Sequence, residues 1–178
     1  TGGAGDDTLQ GGAGNDTYLF ADNFGVDIVT DTAGADTLDF ATVTSALDVN
    51  LPALQVSAGV NRVNYTGVET ICGGAGNDLF RIDGTQNYNL CGGGGADEFR
   101  FTNNGILTGT LDGGAGTDTL NYSTDIATLM TGRSFTITGL GSVDGFNGVE
   151  STTIASGFSN VDEIIGGMYN DTIEGMNA

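Results

Sequence analysis

The chain has 178 residues, of which 32 are glycine, and its 23 acidic against 4 basic residues give a formal net charge of −19. This charge argues against nucleic acids and anionic membranes as partners, because their phosphates would repel it. It favours a cation as partner, and the lack of histidine favours Ca²⁺ or Mg²⁺ over zinc, copper or iron. Hydrophobic residues make up 38% of the chain and are regularly spaced, so a core can form.

A nine-residue pattern recurs along the chain: two glycines, any residue, glycine, any residue, aspartate, any residue, an apolar residue and any residue. The copies run 2–10, 11–19, 31–39 (without the leading glycines), 73–81, 92–100, 113–121 and 166–174 (with Met168 and Tyr169 departing from the pattern). Between them lie two longer segments that resemble each other, DTLDF…GVET from Asp36 and DTLNY…GVES from Asp118. We treat residues 1–178 as one domain, with glycine-rich repeats at 2–19, 31–39, 73–121 and 166–174 and wider coils at 41–70 and 123–165.

Each repeat predicts a turn followed by a short strand. Glycine tolerates positive φ and close backbone approach, so the glycine-rich part suits a tight turn whose carbonyl groups face an ion. The sixth-position aspartate adds negative charge to that turn. The residues after it alternate, which directs apolar side chains inward. The predicted inward pairs are Tyr18 and Phe20, Leu38 and Phe40, Phe80 and Ile82, Phe99 and Phe101, and Leu120 and Tyr122.

The spacing of the repeats predicts which turns stack. Gly73, Gly92 and Gly113 are 19 and 21 residues apart, which indicates a coil of about 20 residues with two strands and two turns. The three glycine turns should therefore lie above one another along one edge. Gly2 and Gly11 are only nine residues apart and should fall on opposite edges, while the turn at 31–36 should lie over the turn at 11–16.

The nonapeptide resembles the RTX, or haemolysin-type, calcium-binding repeat, and the longer segments resemble spacers of large RTX surface proteins. The resemblance implies an all-β, right-handed parallel β-solenoid, or β-roll, which we expect to have about nine coils. It also implies Ca²⁺ ions held between stacked turns by carbonyl oxygens and by the sixth-position aspartates of both turns.

Carried over to this chain, the resemblance makes Asp78 and Asp97 share one ion, Asp97 and Asp118 a second, and Asp16 and Asp36 a third. Asp7 and Asp171 would be ligands whose partner turn is degenerate or outside the chain, with Asp22 or Asp27 opposite Asp7. The remaining predicted ligand residues line the turns: Gly2, Ala4, Gly11, Ala13, Gly73, Ala75, Gly92, Gly94, Gly113 and Ala115. Stacked aspartates repel one another without a cation, so we predict a chain that is disordered in low calcium and folds in millimolar calcium.

The cysteines and two of the arginines occupy equivalent places on neighbouring coils. Cys72 and Cys91 each precede a glycine pair, so they could form a disulfide or simply stack as two small apolar residues. Without histidine or lysine to activate a thiol, a catalytic cysteine is disfavoured. For Arg81 and Arg100, ion pairs with Glu98, Asp83 or other nearby carboxylates are favoured over binding of an anionic sugar.

The lack of histidine excludes a serine–histidine triad and a histidine-ligated zinc protease. A two-carboxylate carbohydrate enzyme would have to use Glu69, Glu150 or Glu163, but the duplicated places of Glu69 and Glu150 favour a structural role, so we predict no catalytic residue and no enzyme.

Three functions remain: a section of a bacterial adhesin or surface-layer protein, a subunit of an extracellular filament built head to tail, or the non-catalytic tail of an exported protease, lipase or polysaccharide-modifying enzyme. The resemblance implies type I secretion to the cell surface or the medium, where polysaccharide or a cell surface would be the partner. No apolar run is long enough to span a bilayer, so membrane insertion is not expected. The chain begins inside a repeat, so we expect a fragment or a processed subunit.

Overall fold

The computed structural model describes residues 1–125 and 132–175, so residues 126–131 of the second wider coil and the last three residues lie outside the described ranges. Within those ranges the chain is all-β, with one short 3-10 helix at Leu51–Ala53. None of the helices in this part of the chain is long and apolar enough to cross a membrane. The strands are β1 (Thr8–Leu9), β2 (Thr17–Ala21), β3 (Val26–Thr30), β4 (Thr37–Thr42), β5 (Asp48–Asn50), β6 (Gln55–Ala58), β7 (Asn61–Thr66), β8 (Thr70–Cys72), β9 (Leu79–Gln86), β10 (Asn89–Gly95), β11 (Glu98–Leu107), β12 (Leu111–Gly116), β13 (Thr119–Asn121), β14 (Ser134–Leu140), β15 (Phe146–Glu150), β16 (Ile154–Val161), β17 (Glu163–Ile165) and β18 (Thr172–Glu174).

The strand pairings form two sheets, and most turns carry the chain from one sheet to the other. The first sheet has the order β1-β3-β7-β6-β5-β9-β11-β13-β17. The second has the order β2-β4-β8-β10-β12-β16-β15-β14-β18. A pairing of Leu107 in β11 with Ile154 in β16 joins the two sheets into one hydrogen-bonded network.

The register of the parallel strands places the glycine turns as their spacing predicts. Cys72 lies opposite Cys91, and Gly93 lies opposite Gly114, so the turns at 73–78, 92–97 and 113–118 stand above one another. The turn at 11–16 leads into the second sheet, whereas the turn at 2–7 leads into the first. Ala13 forms a parallel bridge with Ala33, which stacks the turns at 11–16 and 31–36.

Both sheets are mixed, which corrects the expectation of parallel pairing throughout. Strand β6 runs antiparallel to β5 and β7 in the first sheet, and β15 runs antiparallel to β14 and β16 in the second. Both three-stranded meanders lie in the segments 41–70 and 123–165, which exceed the roughly 20-residue period of the repeats. Their extra length folds back as hairpins and does not widen a single coil, because neighbouring antiparallel strands need only a short connection.

The apolar side chains of both sheets form one continuous hydrophobic cluster. All five predicted inward pairs are buried in it. Rings at the same register on adjacent strands stack face to face: Phe20 on Phe40 with centroids 4.7 Å apart, and Phe80 on Phe99 at the same distance. The match between this distance and the strand spacing makes aromatic stacking along the cluster a direct result of the register.

Two covalent or ionic links join neighbouring strands independently of metal. Cys72 and Cys91 form a disulfide between β8 and β10, with Cα atoms 4.6 Å apart, so of the two alternatives the disulfide is observed. Arg81 of β9 makes a bidentate ion pair with Asp48 of β5, in which Nε donates to Oδ1 at 2.7 Å and Nη2 donates to Oδ2 at 2.8 Å. The pair joins the repeat array to the first meander. Arg100 pairs in the same way with Glu98, two residues away.

Candidate metal centres

Aspartates from successive turns stand in a column along one edge of the fold. The backbone N–H of Asp78 donates to Oδ1 of Asp97 at 2.7 Å, and the N–H of Asp97 donates to Oδ1 of Asp118 at 2.9 Å. At the two ends, the N–H of Leu47 donates to Asp78 and the N–H of Asp118 donates to Asp162. We call Asp78, Asp97, Asp118 and Asp162 the long aspartate column.

The local sequence explains why the turns present aspartates in this way. In the turn at 92–97, the second and fourth glycines, Gly93 and Gly95, have φ values of 103° and 113°. Residues with a side chain rarely adopt such values, so glycine is needed at both positions. The left-handed residues reverse the chain sharply and leave the sixth-position aspartate at the start of the next strand, where its carboxylate faces the adjacent turn.

The first glycine of each turn is needed for a different reason, which is space. A Cβ atom on Gly92 would collide with the carbonyl oxygen of Gly113 and with Oδ2 of Asp97. A Cβ atom on Gly73 would collide in the same way with the carbonyl oxygen of Gly92 and with Oδ2 of Asp78. Gly73 and Gly92 therefore each keep open a small space that is bounded by a backbone carbonyl of the next turn and a carboxylate of the same turn.

Oδ2 of Asp78, beside Gly73, accepts the N–H of Gly74, but the corresponding oxygens of the next two turns have no hydrogen-bond partner. Asp97 and Asp118 are at most 1% exposed, and Oδ2 of each is buried without a partner, as is Oδ2 of Asp36. A buried carboxylate oxygen without a partner is costly, and several like charges in one column add repulsion. A divalent cation would coordinate the oxygens that have no partner and would also offset the repulsion between the carboxylates. Carbonyl and carboxylate oxygens are the ligands that Ca²⁺ prefers. The residues present therefore fit Ca²⁺ on their own chemistry.

A shorter column lies on the opposite edge, between the turns at 11–16 and 31–36. The N–H of Asp16 donates to Oδ1 of Asp36 at 2.7 Å, and the N–H of Asp36 donates to Oε2 of Glu69 at 2.9 Å. Carboxylate oxygens of Asp16, Asp31 and Asp36 lie within 4.8 Å of one another. Asp31 also accepts a hydrogen bond from the hydroxyl group of Tyr18 at 2.5 Å.

Sequence reasoning missed Asp31 and Glu69 at this edge. Asp31 stands where the repeat normally has its first glycine, so the imperfect copy DTAGAD carries a signal for it. Glu69 lies outside every repeat and enters the column only through the pairing of β4 with β8.

The remaining predicted aspartates occupy the ends of the two edges. The N–H of Asp7 donates to Oδ1 of Asp27 at 2.9 Å, so Asp27 is the residue opposite Asp7. Asp22 instead accepts hydrogen bonds from Thr44. Asp171 accepts from the backbone N–H of Arg133, so the residue that donates to it is an arginine and not the aspartate of another turn.

The third-position residues follow the stacking of their turns. Gly94 pairs in register with Ala115, and Ala13 with Ala33, while the N–H of Ala75 donates to the carbonyl of Val43. Ala4 and Gly2 belong to the turn that stacks on the segment before Asp27. Their carbonyl groups as ligands stay a prediction.

The three glutamates considered for catalysis are separated by the fold. Glu69 belongs to the short column. Glu150 is fully buried and accepts hydrogen bonds from Thr152 and Thr153. Glu163 lies exposed on β17. Because Glu150 is buried, a polymeric substrate in solvent could not reach its carboxylate.

Burial changes the acidity of the long column. Burial raises the pKa of Asp97 to about 7, and the charges of Asp78 and Asp118 act in the same direction against the hydrogen bond from the N–H of Asp78. Burial likewise raises the pKa of Asp118 to about 6. The pKa of Asp78 is also raised by burial. In the metal-free fold these groups therefore take up a proton more readily than an ordinary aspartate, and protonation removes the same charge that a cation would balance.

The space beside Gly92 gives a first prediction. Gly92→Ala should weaken calcium binding and lower the calcium-saturated thermal midpoint, because the methyl group would occupy the space between Gly113 and Asp97. Gly139→Ala is the matched control, since a Cβ there meets nothing within 4 Å. Isothermal titration with Ca²⁺ and thermal unfolding measure both effects. Equal behaviour of the two variants would contradict this role for Gly92.

The raised pKa values of Asp97 and Asp118 give a second prediction. A carboxyl group whose pKa is higher in the folded than in the unfolded state stabilises the fold at low pH, and that stability is lost as pH rises towards the folded pKa. In calcium-free buffer the protein should therefore retain more β-structure, followed by circular dichroism, at pH 5 than at pH 8. In saturating Ca²⁺ this difference should shrink or reverse, because the cation competes with the proton. Greater stability of the calcium-free protein at pH 8 would contradict the prediction.

Comparison with known proteins agrees with this geometry. The family model for the RTX calcium-binding nonapeptide repeat, in four copies, matches residues 1–21, 110–126 and 156–177. No curated protein sequence matches the chain. The matched stretches contain the turns at 2–7, 11–16, 113–118 and 166–171, and the turns at 73–78 and 92–97 share the register of the matched turn at 113–118. RTX repeats bind Ca²⁺, and the acidic groups gathered here could hold it. The chain therefore carries RTX calcium-binding repeats.

Proposed function

We propose that this chain is a calcium-binding structural module of a secreted or cell-surface bacterial protein, and that it folds when Ca²⁺ binds. The observation that carries the proposal is the long aspartate column, in which buried carboxylate oxygens without partners face spaces kept open by glycine. The right-handed sense of the coil, a total of about nine coils and a single domain over the whole chain belong to the same proposal.

The proposed ions lie between stacked turns. Asp78 and Asp97 hold one, and Asp97 and Asp118 hold the next, each with carbonyl oxygens of the two turns. On the opposite edge Asp16 and Asp36 hold an ion to which Asp31 adds a third carboxylate, a charge that strengthens Ca²⁺ binding. The other proposed ligands are Asp7 with Asp27, and Asp171.

The proposed role is that of a scaffold without catalytic activity. RTX repeats are non-catalytic structural modules. The separation of Glu69, Glu150 and Glu163 supports the same conclusion, because glycoside cleavage by two carboxylates needs both beside one bond.

Two observations support export. RTX repeats are typical of proteins secreted by type I systems. The disulfide between Cys72 and Cys91 is stable in an oxidising compartment and is unusual in the cytosol. Outside the cell the module would serve an adhesin, a surface layer or a filament, and sedimentation of the calcium-loaded protein at increasing concentration tests self-association.

A matched pair of aspartate variants tests the proposal. Asp97→Asn keeps an oxygen to accept the N–H of Asp78 but removes the charge between two proposed ions, so both ions should bind more weakly, by roughly tenfold or more. Asp39→Asn is the control, because Asp39 also accepts a backbone N–H, from Ala41, but stands outside both columns. Equilibrium dialysis with elemental analysis counts the calcium, and circular dichroism follows folding in the same samples.

The wild-type protein and the control should gain β-structure and bind the same number of ions as Ca²⁺ rises into the millimolar range. The Asp97 variant should bind fewer ions at the same free calcium. A wild-type protein that binds no calcium, or an Asp97 variant that matches the wild type, would overturn the proposed role of the column.

A further inference from the structure

We propose that the long aspartate column ends in an additional Ca²⁺ site that is built without a second glycine turn. Asp118 of the last turn, Asp144 and Asp162 hold the ion, together with the backbone carbonyl of Asn160. The inference rests on the proposed calcium binding of the column and adds ligands that belong to no glycine repeat.

Three carboxylates from separate segments converge at this end. Asp118 closes the glycine turn at 113–118, Asp144 lies in the connection between β14 and β15, and Asp162 lies between β16 and β17. Their carboxylate oxygens lie within 4.8 Å of one another. The ion pairs in the described part of the chain join arginines to other carboxylates, so none of them offsets this cluster. Three negative charges at this distance need a cation nearby.

Backbone hydrogen bonds orient each carboxylate and leave one oxygen of each for a ligand. Asp118 accepts from the N–H of Asp97, Asp144 accepts through Oδ2 from the N–H of Gly116, and Asp162 accepts through Oδ2 from the N–H of Asp118. The other oxygens of Asp118 and Asp144, Oδ2 and Oδ1 respectively, are buried and have no hydrogen-bond partner. Asp118 as a whole is 0% exposed. These unpartnered buried oxygens point to a ligand independently of the clustering.

Asn160 takes the place that a glycine turn has elsewhere in the column. It has a φ of 50°, in the left-handed region that favours glycine or asparagine. A Cβ atom on Gly113 would collide with the carbonyl oxygen of Asn160 and would lie 2.7 Å from Oδ2 of Asp118. The same space beside Gly92 is bounded by the carbonyl of Gly113 and by Asp97. The carbonyl of Asn160 thus borders the space beside Gly113 in the way that the carbonyl of Gly113 borders the space beside Gly92, although Asn160 lies outside the repeats.

The side chain of Asn160 also anchors the loop that carries Asp144. Its Oδ1 accepts the N–H of Val143 at 3.0 Å, and its Nδ2 donates to Oδ1 of Asp112 at 2.6 Å. Asn160 therefore supplies a carbonyl and fixes the neighbouring loop. An ion here would join the turn at 113–118 to the loop before β15, and so would tie the second meander to the repeat array. All the donors are oxygens, which favours Ca²⁺.

Asp144→Asn tests the site, because the amide oxygen still accepts the N–H of Gly116 while the charge is lost. Equilibrium dialysis with Ca²⁺ alone, followed by elemental analysis, should find one ion fewer than in the wild type, or one ion bound roughly tenfold more weakly. Asp39→Asn should match the wild type, and Asp97→Asn should weaken the ions on both sides of Asp97. Asp162→Asn keeps an acceptor for Asp118 and should reproduce the loss, which keeps the test decisive if the Asp144 variant fails to fold.

The outcomes separate this site from the proposed function. If the wild type binds several ions and the Asp144 and Asp162 variants bind the same number with unchanged affinity, the terminal site is wrong and the calcium-binding module stands. If the wild type binds no calcium, both proposals fail.

Discussion

Hydrogen bonding between successive strands forces buried carboxylates into one column, and the rest of the structure depends on how their charge is balanced. The backbone N–H of Asp78 donates to the carboxylate of Asp97, and that of Asp97 to the carboxylate of Asp118, so these turns cannot move apart without breaking such a hydrogen bond. Their second oxygens stay buried without partners. Calcium binding and folding are therefore one process in this account, because the unfolded chain has no such column to fill.

The same constraint explains features that seem unrelated. In the turn at 92–97 the first glycine, Gly92, keeps open the space beside the carboxylate, whereas Gly93 and Gly95 allow the positive φ values of the turn. The disulfide between Cys72 and Cys91 and the ion pair of Arg81 with Asp48 hold neighbouring strands together without metal. Such links keep neighbouring strands close in a chain whose columns repel in the absence of cations.

The sequence predicts the regular part of the fold well, since a period of about 20 residues fixes both the stacking of the turns and the inward aromatic residues. It does not predict the meanders, because segments 41–70 and 123–165 lack the glycine period and their hairpins are chosen by tertiary pairing. Glu69 and Glu150 hold equivalent places in the two similar segments, yet the fold gives them different surroundings. Glu69 of GVET joins the short column, while Glu150 of GVES is buried beside Thr153. Asp144 and Asn160 could not be found, since only the fold brings them to Asp118.

The most direct measurement is a crystal structure grown in calcium, with anomalous scattering used to identify the metal. The account predicts calcium peaks between the turns at 73–78 and 92–97 and between those at 92–97 and 113–118, each beside the carboxylate of Asp97. A well-ordered column without metal in calcium-rich crystals, or turns that do not stand above one another, would contradict it.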